Sequence, residues 1–359
     1  MLALTLTVLL LAAQAAAQIE SPKLTPTPAT EKQQALIRQG VALHDRGDYD
    51  GAISKYQEVL TESPDNVEAI YEMAFAHSMK KEYQKSLDLA YRGARYKSDL
   101  LAAFYQTIGN NLDQLGESKK AVDVYKAGIK ILPEDALLHY NLGVTYANMK
   151  KPEEARKSLK TALALNPKHP SSHLLLAIQF LNNGYRTPAL FAAARFLILE
   201  PKTQRSALGN RILHEVLSGG ATQGKDPNSF NITLDMNAKK DEGDFTSVEM
   251  ILGLSKMAAL TEKNKDKTEV QRLVGQVETL LAVVDENTTE KKQTGFVHQY
   301  YIPYFVEMKR KGFVEPFVYY SLQHGQKDEV EQWLKENSGK VMQFLVWSNQ
   351  YAWPKNAGK

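Results

Sequence analysis

Two histidines four residues apart, His169 and His173, are the first candidates for chemistry, because this spacing can place two metal ligands on one helix face. Pro170 stands between them at the expected start of a helix, so His169 is predicted to lie outside that helix. No third histidine or carboxylate is evident nearby, and the chain has no cysteine. The pair is therefore predicted to have a structural role, and no metal is expected there.

A second candidate is Gly219-x-x-x-x-Gly224-Lys225, which matches most of a phosphate-binding loop. The next residue is Asp226, where magnesium binding needs Ser or Thr, and a predicted helix rather than a strand precedes the loop. The pair His214-Glu215 lacks the second histidine of a zinc-protease motif, and no Gly-x-Ser-x-Gly segment is present. We therefore expect no catalytic activity and no cofactor.

The composition limits the partners and the location of the protein. Lys and Arg total 44 against 41 Asp and Glu, dispersed along the chain, so a nucleic-acid-binding surface is not expected. Residues 1–17 form an uncharged apolar run that ends in small residues, which is typical of a signal peptide, with an uncleaved anchor as the alternative. Residues 18–32 are rich in Pro and Thr and are predicted to be a flexible linker. We expect an exported protein, periplasmic or secreted, with no transmembrane segment in the mature chain.

The elements that would position any site come from a repeat of about 34 residues. A small residue recurs at Gly40, Ala74, Gly109, Gly143 and Ala177. Twelve residues later stand Ala52, Ser86, Ala121, Ala155 and Ala189, and twelve further on stand Pro64, Ser98, Pro133, Pro167 and Pro201. Apolar residues between these positions predict two amphipathic helices in each copy, joined by a short polar turn and closed by proline.

The fourth copy carries the clearest pattern, Tyr140-Asn141-Leu142-Gly143-x-x-Tyr146, followed by Ala155, Leu159, Ala162 and Pro167. This pattern resembles the tetratricopeptide repeat (TPR) family, here in an exported bacterial protein. The resemblance implies an all-α solenoid of about five helix-turn-helix repeats over residues 33–204. Its small residues would allow the two helices of a copy to approach closely. The second copy departs from the pattern, since His77 and Ala90 stand at positions that are usually large and apolar.

The resemblance also places a binding surface on the concave face, formed by the first helix of each copy. The candidate groove residues are Tyr71, Phe75, Asn110, Tyr140, Asn141, Val144 and Asn148. This mixture of aromatic, apolar and amide side chains, with few charges expected, suits an extended peptide or an amphipathic helix. Asn110 and Asn141 fall where some family members hold a C-terminal carboxylate. Gln106, Ser171 and Leu175 replace the cations of that site, so carboxylate binding is not expected.

Residues 205–359 lose the repeat and are predicted to be a C-terminal helical region. Helices are predicted over 205–218, 246–263, 269–286, 296–312, 314–325 and 327–353, with a loop over 219–231. Aromatic residues concentrate here, including Tyr300, Tyr301, Tyr304, Phe305, Phe317, Trp333, Trp347 and Trp353. They form either a core or a pocket for a sugar or small ligand, and their helical spacing favours the core.

The sequence as a whole predicts a non-catalytic scaffold that binds a partner protein or peptide on its repeat helices. The alternative is a binding protein for a glycan or small ligand that uses the C-terminal aromatic residues. The identity of the partner and the oligomeric state do not follow from the sequence.

Overall fold

A computed structural model of the protein describes residues 22–218, 221–223, 230–232, 241–259, 266–290, 294–325, 328–355 and 357. Contacts divide the chain into two units, Met1–Ser158 and Leu159–Lys359. The predicted signal peptide lies outside the described residues, as do Gly219, Gly224, Lys225 and Asp226 of the phosphate-loop-like segment. The predicted boundary at 204, where the sequence repeat ends, stays a prediction.

The first unit consists of helix pairs that follow the repeat. Its helices are α1 (Glu31–Asp45), α2 (Tyr49–Glu62), α3 (Val67–Met79), α4 (Tyr83–Gly93), α5 (Leu101–Gln114), α6 (Ser118–Ile131), α7 (Ala136–Asn148) and the beginning of α8 (Pro152–Leu165), whose last turns belong to the second unit. Asp48, Asn66 and Asp135 cap the starts of α2, α3 and α7 with their side chains. Three of these helices therefore start at residues whose side chains satisfy free backbone amides.

The turn inside each copy has a fixed backbone conformation. Gly47, Lys81, Gly116 and Lys150 have φ values of 81°, 62°, 78° and 57°. Each stands seven residues after the small residue of its copy. Two of the four are glycine, which enters this left-handed region without the steric cost of a Cβ atom. The turn geometry is thus held constant even where lysine replaces glycine.

The small residues lie where the two helices of a copy meet. All ten residues at the two small positions of the five copies are buried. A Cβ atom on Gly40 would come within 2.4 Å of the Tyr56 ring, and one on Gly109 within 2.3 Å of the Tyr125 ring. The helices approach closely because these side chains are nearly absent, so packing offsets the intrinsic cost of glycine in a helix.

Polar contacts replace large apolar residues in the second copy. His77 is buried, and its Nδ1 lies 2.7 Å from Oε2 of Glu82, beyond the turn. Beside Ala90, the hydroxyl of Ser86 donates to the Ala74 carbonyl at 2.6 Å, and the amide of Asn111 donates to the same hydroxyl. The second copy therefore matches the repeat pattern weakly because hydrogen bonds take the place of some large apolar contacts in its helix pair.

The segment before α1 runs along the turn after α4. The amides of Lys23 and Leu24 donate to the Arg95 carbonyl, and the amide of Lys97 donates to the Leu24 carbonyl. Helix α1 begins at Glu31, inside the range predicted as a linker, with Thr30 and Gln33 forming a capping box. Part of the predicted linker is thus held by backbone hydrogen bonds.

The second unit continues with one more repeat and then changes character. Its helices are α9 (Pro170–Asn182), α10 (Arg186–Leu199), α11 (Ser206–Ser218), α12 (Thr246–Ala259), α13 (Glu269–Glu290), α14 (Phe296–Tyr300), α15 (Ile302–Arg310), α16 (Val314–Ser321), α17 (Asp328–Glu336) and α18 (Ser338–Gln350). None of the helices described is long and apolar enough to cross a membrane.

Three details differ from the sequence prediction. The helix predicted over 327–353 is two helices, α17 and α18, which are separated at Asn337. Strands β1 (Ala221–Gln223) and β2 (Phe230–Ile232) pair antiparallel within the segment predicted as a loop. Strands of three residues are too short to show an alternating pattern, so the loop prediction was wrong there. The helix predicted over 296–312 is two helices that meet at Tyr301, because Pro303 cannot donate a backbone hydrogen bond into the preceding turn.

Helix α10 lies at the centre of the second unit. All of its residues from Thr187 to Ile198 are buried, which is typical of a helix covered on every side. It packs on α9, α11 and α16. Even Arg195 is enclosed, with Nη1 donating to the Ser348 hydroxyl at 2.8 Å and the Trp353 ring stacked on its guanidinium. The fifth repeat is therefore part of a compact core.

Candidate functional site

The surface predicted to bind a partner lies on the first helix of each copy. In the first unit these helices are α1, α3, α5 and α7, and each contacts the next. We call the side of these four helices that faces away from the second helices the first-helix face.

Exposed apolar side chains of the first unit concentrate on this face. Phe75 and Met79 on α3 are 38% and 46% exposed, and Leu137 on α7 is 41% exposed. Leu115, at the end of α5, and Leu24, in the segment before α1, complete the set of exposed large apolar residues described in this unit. None of them lies on α2, α4 or α6. Within the first unit, the helices that expose large apolar side chains are thus first helices, whereas the second helix α8 exposes Leu165 at its end, in the second unit.

The candidates Tyr71 and Phe75 are neighbours in a row of rings. Their rings stack with 6.2 Å between centroids, and Phe75 stacks in turn on His44 of α1 at 4.9 Å. Tyr71 also meets the edge of Phe104 on α5, and His44 meets Tyr49. The structure therefore brings two candidates together and extends their row with His44, a further residue of the first helices.

The candidate Asn110 is held by a tyrosine of the second helix. Tyr125 reaches past Gly109, and its hydroxyl donates to the Asn110 side-chain oxygen at 2.7 Å. The amide group of Asn110 can still donate to a ligand, and the residue is exposed. Burial raises the pKa of Tyr125 far above its usual value, so this hydroxyl stays protonated and keeps the amide oriented.

The remaining candidates lie together on α7. Tyr140, Asn141 and Val144 are half-buried, and Asn148 is exposed. Helix α5 lies between α7 and the ring row on α3. A ligand that contacts all the predicted residues would therefore have to cross three helices, which requires an extended or helical segment rather than a small molecule.

Acidic side chains of the first two copies lie near the candidate residues. Asp45 of α1 and Glu68 of α3 interact electrostatically with Glu72 of α3, and all three act on Tyr56. Burial, together with Glu68 and Asp45, raises the pKa of Glu72 above its usual value. Helical spacing could have placed the acids of α3 beside the aromatic candidates, since Glu68 precedes Tyr71 by three residues and Glu72 precedes Phe75 by three. The contribution of Asp45 depends on the packing of two helices.

The two histidines considered for metal binding have protein partners. His173 is fully buried, with Nδ1 2.7 Å from the Tyr301 hydroxyl and Nε2 3.0 Å from the Pro167 carbonyl. Burial lowers its pKa to about 3. His169 caps the start of α9, and its Nδ1 lies 2.7 Å from the Ser172 hydroxyl. Within the described residues, no group of three His, Asp or Glu side chains is placed to hold a metal ion.

The aromatic residues of the second unit form its core. Tyr300, Tyr301 and Tyr304 are fully buried, and Phe305 and Phe317 are nearly so. Tyr304 stacks on both Trp347 and Trp353. A cavity of about 260 Å³ elsewhere in this unit is lined by no Phe, Tyr or Trp ring. These observations agree with the core interpretation. The aromatic rings that are buried are not open to stack on a sugar.

Family models match the repeats of this chain. A tetratricopeptide repeat model matches residues 136–169, and a second TPR repeat model matches residues 40–81 and 109–150. The paired helices follow the same segments, so the predicted all-α fold with a TPR solenoid and further helices is confirmed.

The curated relatives are mammalian. BBSome complex member BBS4 of Mus musculus is 32% identical over 166 residues, which are 46% of this chain and 31% of that protein. The Bos taurus protein of the same name is 30% identical over 158 residues, 44% of this chain and 30% of that protein. The chain thus spans about a third of the length of these relatives.

Among solved structures, a thermophilic TPR protein of Thermus thermophilus is 26% identical with a TM-score of 0.43. The match covers 52% of this chain and 99% of that one.

Proposed function

We propose that the protein is a non-catalytic scaffold whose first-helix face binds a segment of a partner protein. The observation that carries this proposal is the uneven exposure of large apolar side chains on the helices of the first unit, which among the described residues lie on α3 and α7 and not on α2, α4 or α6. A helix face that exposes Phe75, Met79 and Leu137 gains free energy when a partner covers it. The mammalian relatives are named as members of a complex, which agrees with a protein-binding role.

The shape of the candidate site supports a peptide ligand. The ring row, the amide of Asn110 and the residues of α7 lie on successive helices, so they can contact successive positions of one segment. Aromatic anchors supply buried area, while amide groups pair with a peptide backbone.

The proposal can be tested with a displayed library of random peptides selected on the full chain. Tyr71, Asn110 and Tyr140 would be replaced together by alanine, and the selected peptides measured against both proteins by fluorescence anisotropy. We expect the triple variant to lose binding while its circular dichroism spectrum stays unchanged, because the replaced residues are at most half-buried.

A matched control replaces Asp88, Asp123 and Lys157 by alanine. These residues are exposed and stand at one repeat position of the second helices α4, α6 and α8. The control should bind the peptides as the wild type does. If the triple variant keeps its affinity, or if the control loses binding equally, the first-helix face is not the binding surface.

Export is a separate part of the proposal. It rests on the sequence of residues 1–17, which resemble a signal peptide. Mass spectrometry of the protein from intact cells should then show a chain that begins at Gln18. A chain that retains Met1 would contradict cleavage.

A further inference from the structure

Three carboxylates on the first-helix face, those of Asp45, Glu68 and Glu72, form no ion pair among the described residues. The ion pairs described in the first unit involve other carboxylates. Glu72 is half-buried, so its charge is poorly solvated and is repelled by the two acids beside it. A cation placed among these three carboxylates would relieve that repulsion.

A second and independent observation is the hydroxyl of Tyr56. The Tyr56 side chain is fully buried, and its hydroxyl has no hydrogen-bond partner among the residues that the structure describes. Its ring tip lies against α1, since a Cβ atom on Gly40 would come within 2.8 Å of its Cζ atom. The hydroxyl is therefore enclosed beside α1, within electrostatic range of all three carboxylates.

The third copy contains a hydrogen bond that has no equivalent among the described residues of the first copy. Tyr125 corresponds to Tyr56 in the repeat, and its hydroxyl donates to Asn110 at the position after Gly109. In the first copy the residue after Gly40 is Val41, which cannot accept a hydrogen bond. An unpaired buried hydroxyl costs free energy that a ligand can recover.

The apolar part of the same surface also limits which kind of segment can bind there. The rings of His44 and Phe75 stack with only 10° between their planes, and Phe75 and Met79 stay exposed beside the acids. Ring faces attract ammonium and guanidinium groups as well as aliphatic side chains. Acidic and aromatic groups together therefore favour a cation carried on an apolar segment.

We infer that the first two copies bind a segment of a partner protein that carries Lys or Arg side chains among apolar residues. The inference rests on the proposed function, because it names the chemistry of the segment bound at the first-helix face. The three carboxylates attract the cation, the enclosed Tyr56 hydroxyl can accept a hydrogen bond once the bound segment reaches it, and Phe75 with Met79 covers the apolar side chains.

The test uses two labelled peptides of equal length, one alternating Leu with Lys and the other alternating Leu with Glu. Binding to the full chain is measured by fluorescence anisotropy at low and high salt. We expect the Lys peptide to bind at least about tenfold more tightly than the Glu peptide, and the difference to shrink as salt screens the charges.

The decisive variant carries Asp45→Asn, Glu68→Gln and Glu72→Gln. It should lose most of the preference for the Lys peptide. A control with Glu58→Gln, Asp88→Asn and Asp123→Asn removes the same charge from exposed positions on second helices and should keep the preference. Tyr56→Phe should weaken the Lys peptide severalfold, whereas Tyr105→Phe, which removes another buried hydroxyl without a partner among the described residues, should not.

The outcomes separate this inference from the proposed function. Equal binding of the two peptides, or equal loss of preference in both charge variants, would overturn the inference. If library peptides depend on Tyr71, Asn110 and Tyr140 but lack Lys and Arg and bind the neutralised variant normally, the inference fails and the proposed function stands. If no library peptide depends on those three residues, both fail.

Discussion

Corresponding positions of the repeat have different surroundings in the two units. His139, at the start of α7 in the first unit, and His173, in α9 of the second, occupy the same repeat position. Both place Nε2 near the carbonyl of the proline that closes the preceding copy, at 3.1 Å and 3.0 Å. His139 remains half-buried, whereas His173 is fully enclosed and also meets the Tyr301 hydroxyl.

The outward side of the second helices shows the same contrast. The residue fourteen after the small position is Ser54, Asp88, Asp123 and Lys157 in the first four copies, and all four are exposed. In the fifth copy it is Phe191, which is fully buried against Phe305. The repeat thus specifies how two helices of a copy meet, while the outward residues depend on what packs against them.

The largest expected effect is at this outward position. Phe191→Ala should cost about 3–5 kcal/mol of unfolding free energy, because it empties a fully enclosed site. Asp123→Ala, at the same position of the third copy, should change it by less than about 0.5 kcal/mol. Chemical denaturation followed by circular dichroism measures both. Similar losses in the two variants would show that the outward sides of these helices do not differ as described.

The next effect is the pH dependence caused by His173. Its pKa is lowered to about 3 in the folded protein, against about 6.5 when unfolded, so protonation favours the unfolded chain. The stability contribution is complete above pH 6.5 and is lost as the pH falls towards 3. Between pH 7 and pH 5 the loss amounts to about 2 kcal/mol.

Comparison of His173→Gln with His139→Gln checks this. The glutamine at 173 should lower stability at pH 7 but remove most of that loss between pH 7 and pH 5. His139→Gln should alter the pH dependence less than His173→Gln. Burial lowers the pKa of His139 as well, but this histidine is only half-buried. An unchanged pH profile in His173→Gln would contradict the assignment.

The smallest effects distinguish two glycines inside helices. Gly109→Ala should destabilise by about 1 kcal/mol, because a Cβ atom clashes with Tyr125 and this outweighs the better helix propensity of alanine. Gly275→Ala, in α13 of the second unit, should stabilise by about 0.5–1 kcal/mol, because its Cβ atom would meet nothing within 4 Å. Melting temperatures that move in the same direction would refute the close-packing role of Gly109.

The helix pairs of the first unit were predictable from particular residues. Gly109 with Ala121, and Gly143 with Ala155, indicate where two helices touch, and Pro133 and Pro167 indicate where a copy ends. These signals lie within one copy, so no distant contact is needed to read them. The hairpin at 221–223 and 230–232 and the break at Tyr301 were missed because they involve very short elements.

The candidate site was only partly predictable. Tyr71 and Phe75 follow from helical spacing and do lie together, whereas the acids beside them were not expected. Asp45 meets Glu72 only because α1 and α3 pack side by side.

The sequence by itself determined the repeat, its helix pairs and the close contacts between their small residues, because each of these depends on side chains within about 34 positions. Only the tertiary structure decided which outward residues are covered. Phe191 and Arg195 are enclosed by residues more than a hundred positions away, Phe305 and Ser348, and no local pattern specifies that contact. Tertiary structure likewise decided that three carboxylates come within electrostatic range of the enclosed Tyr56 hydroxyl, because charges on different helices interact only after the helices pack.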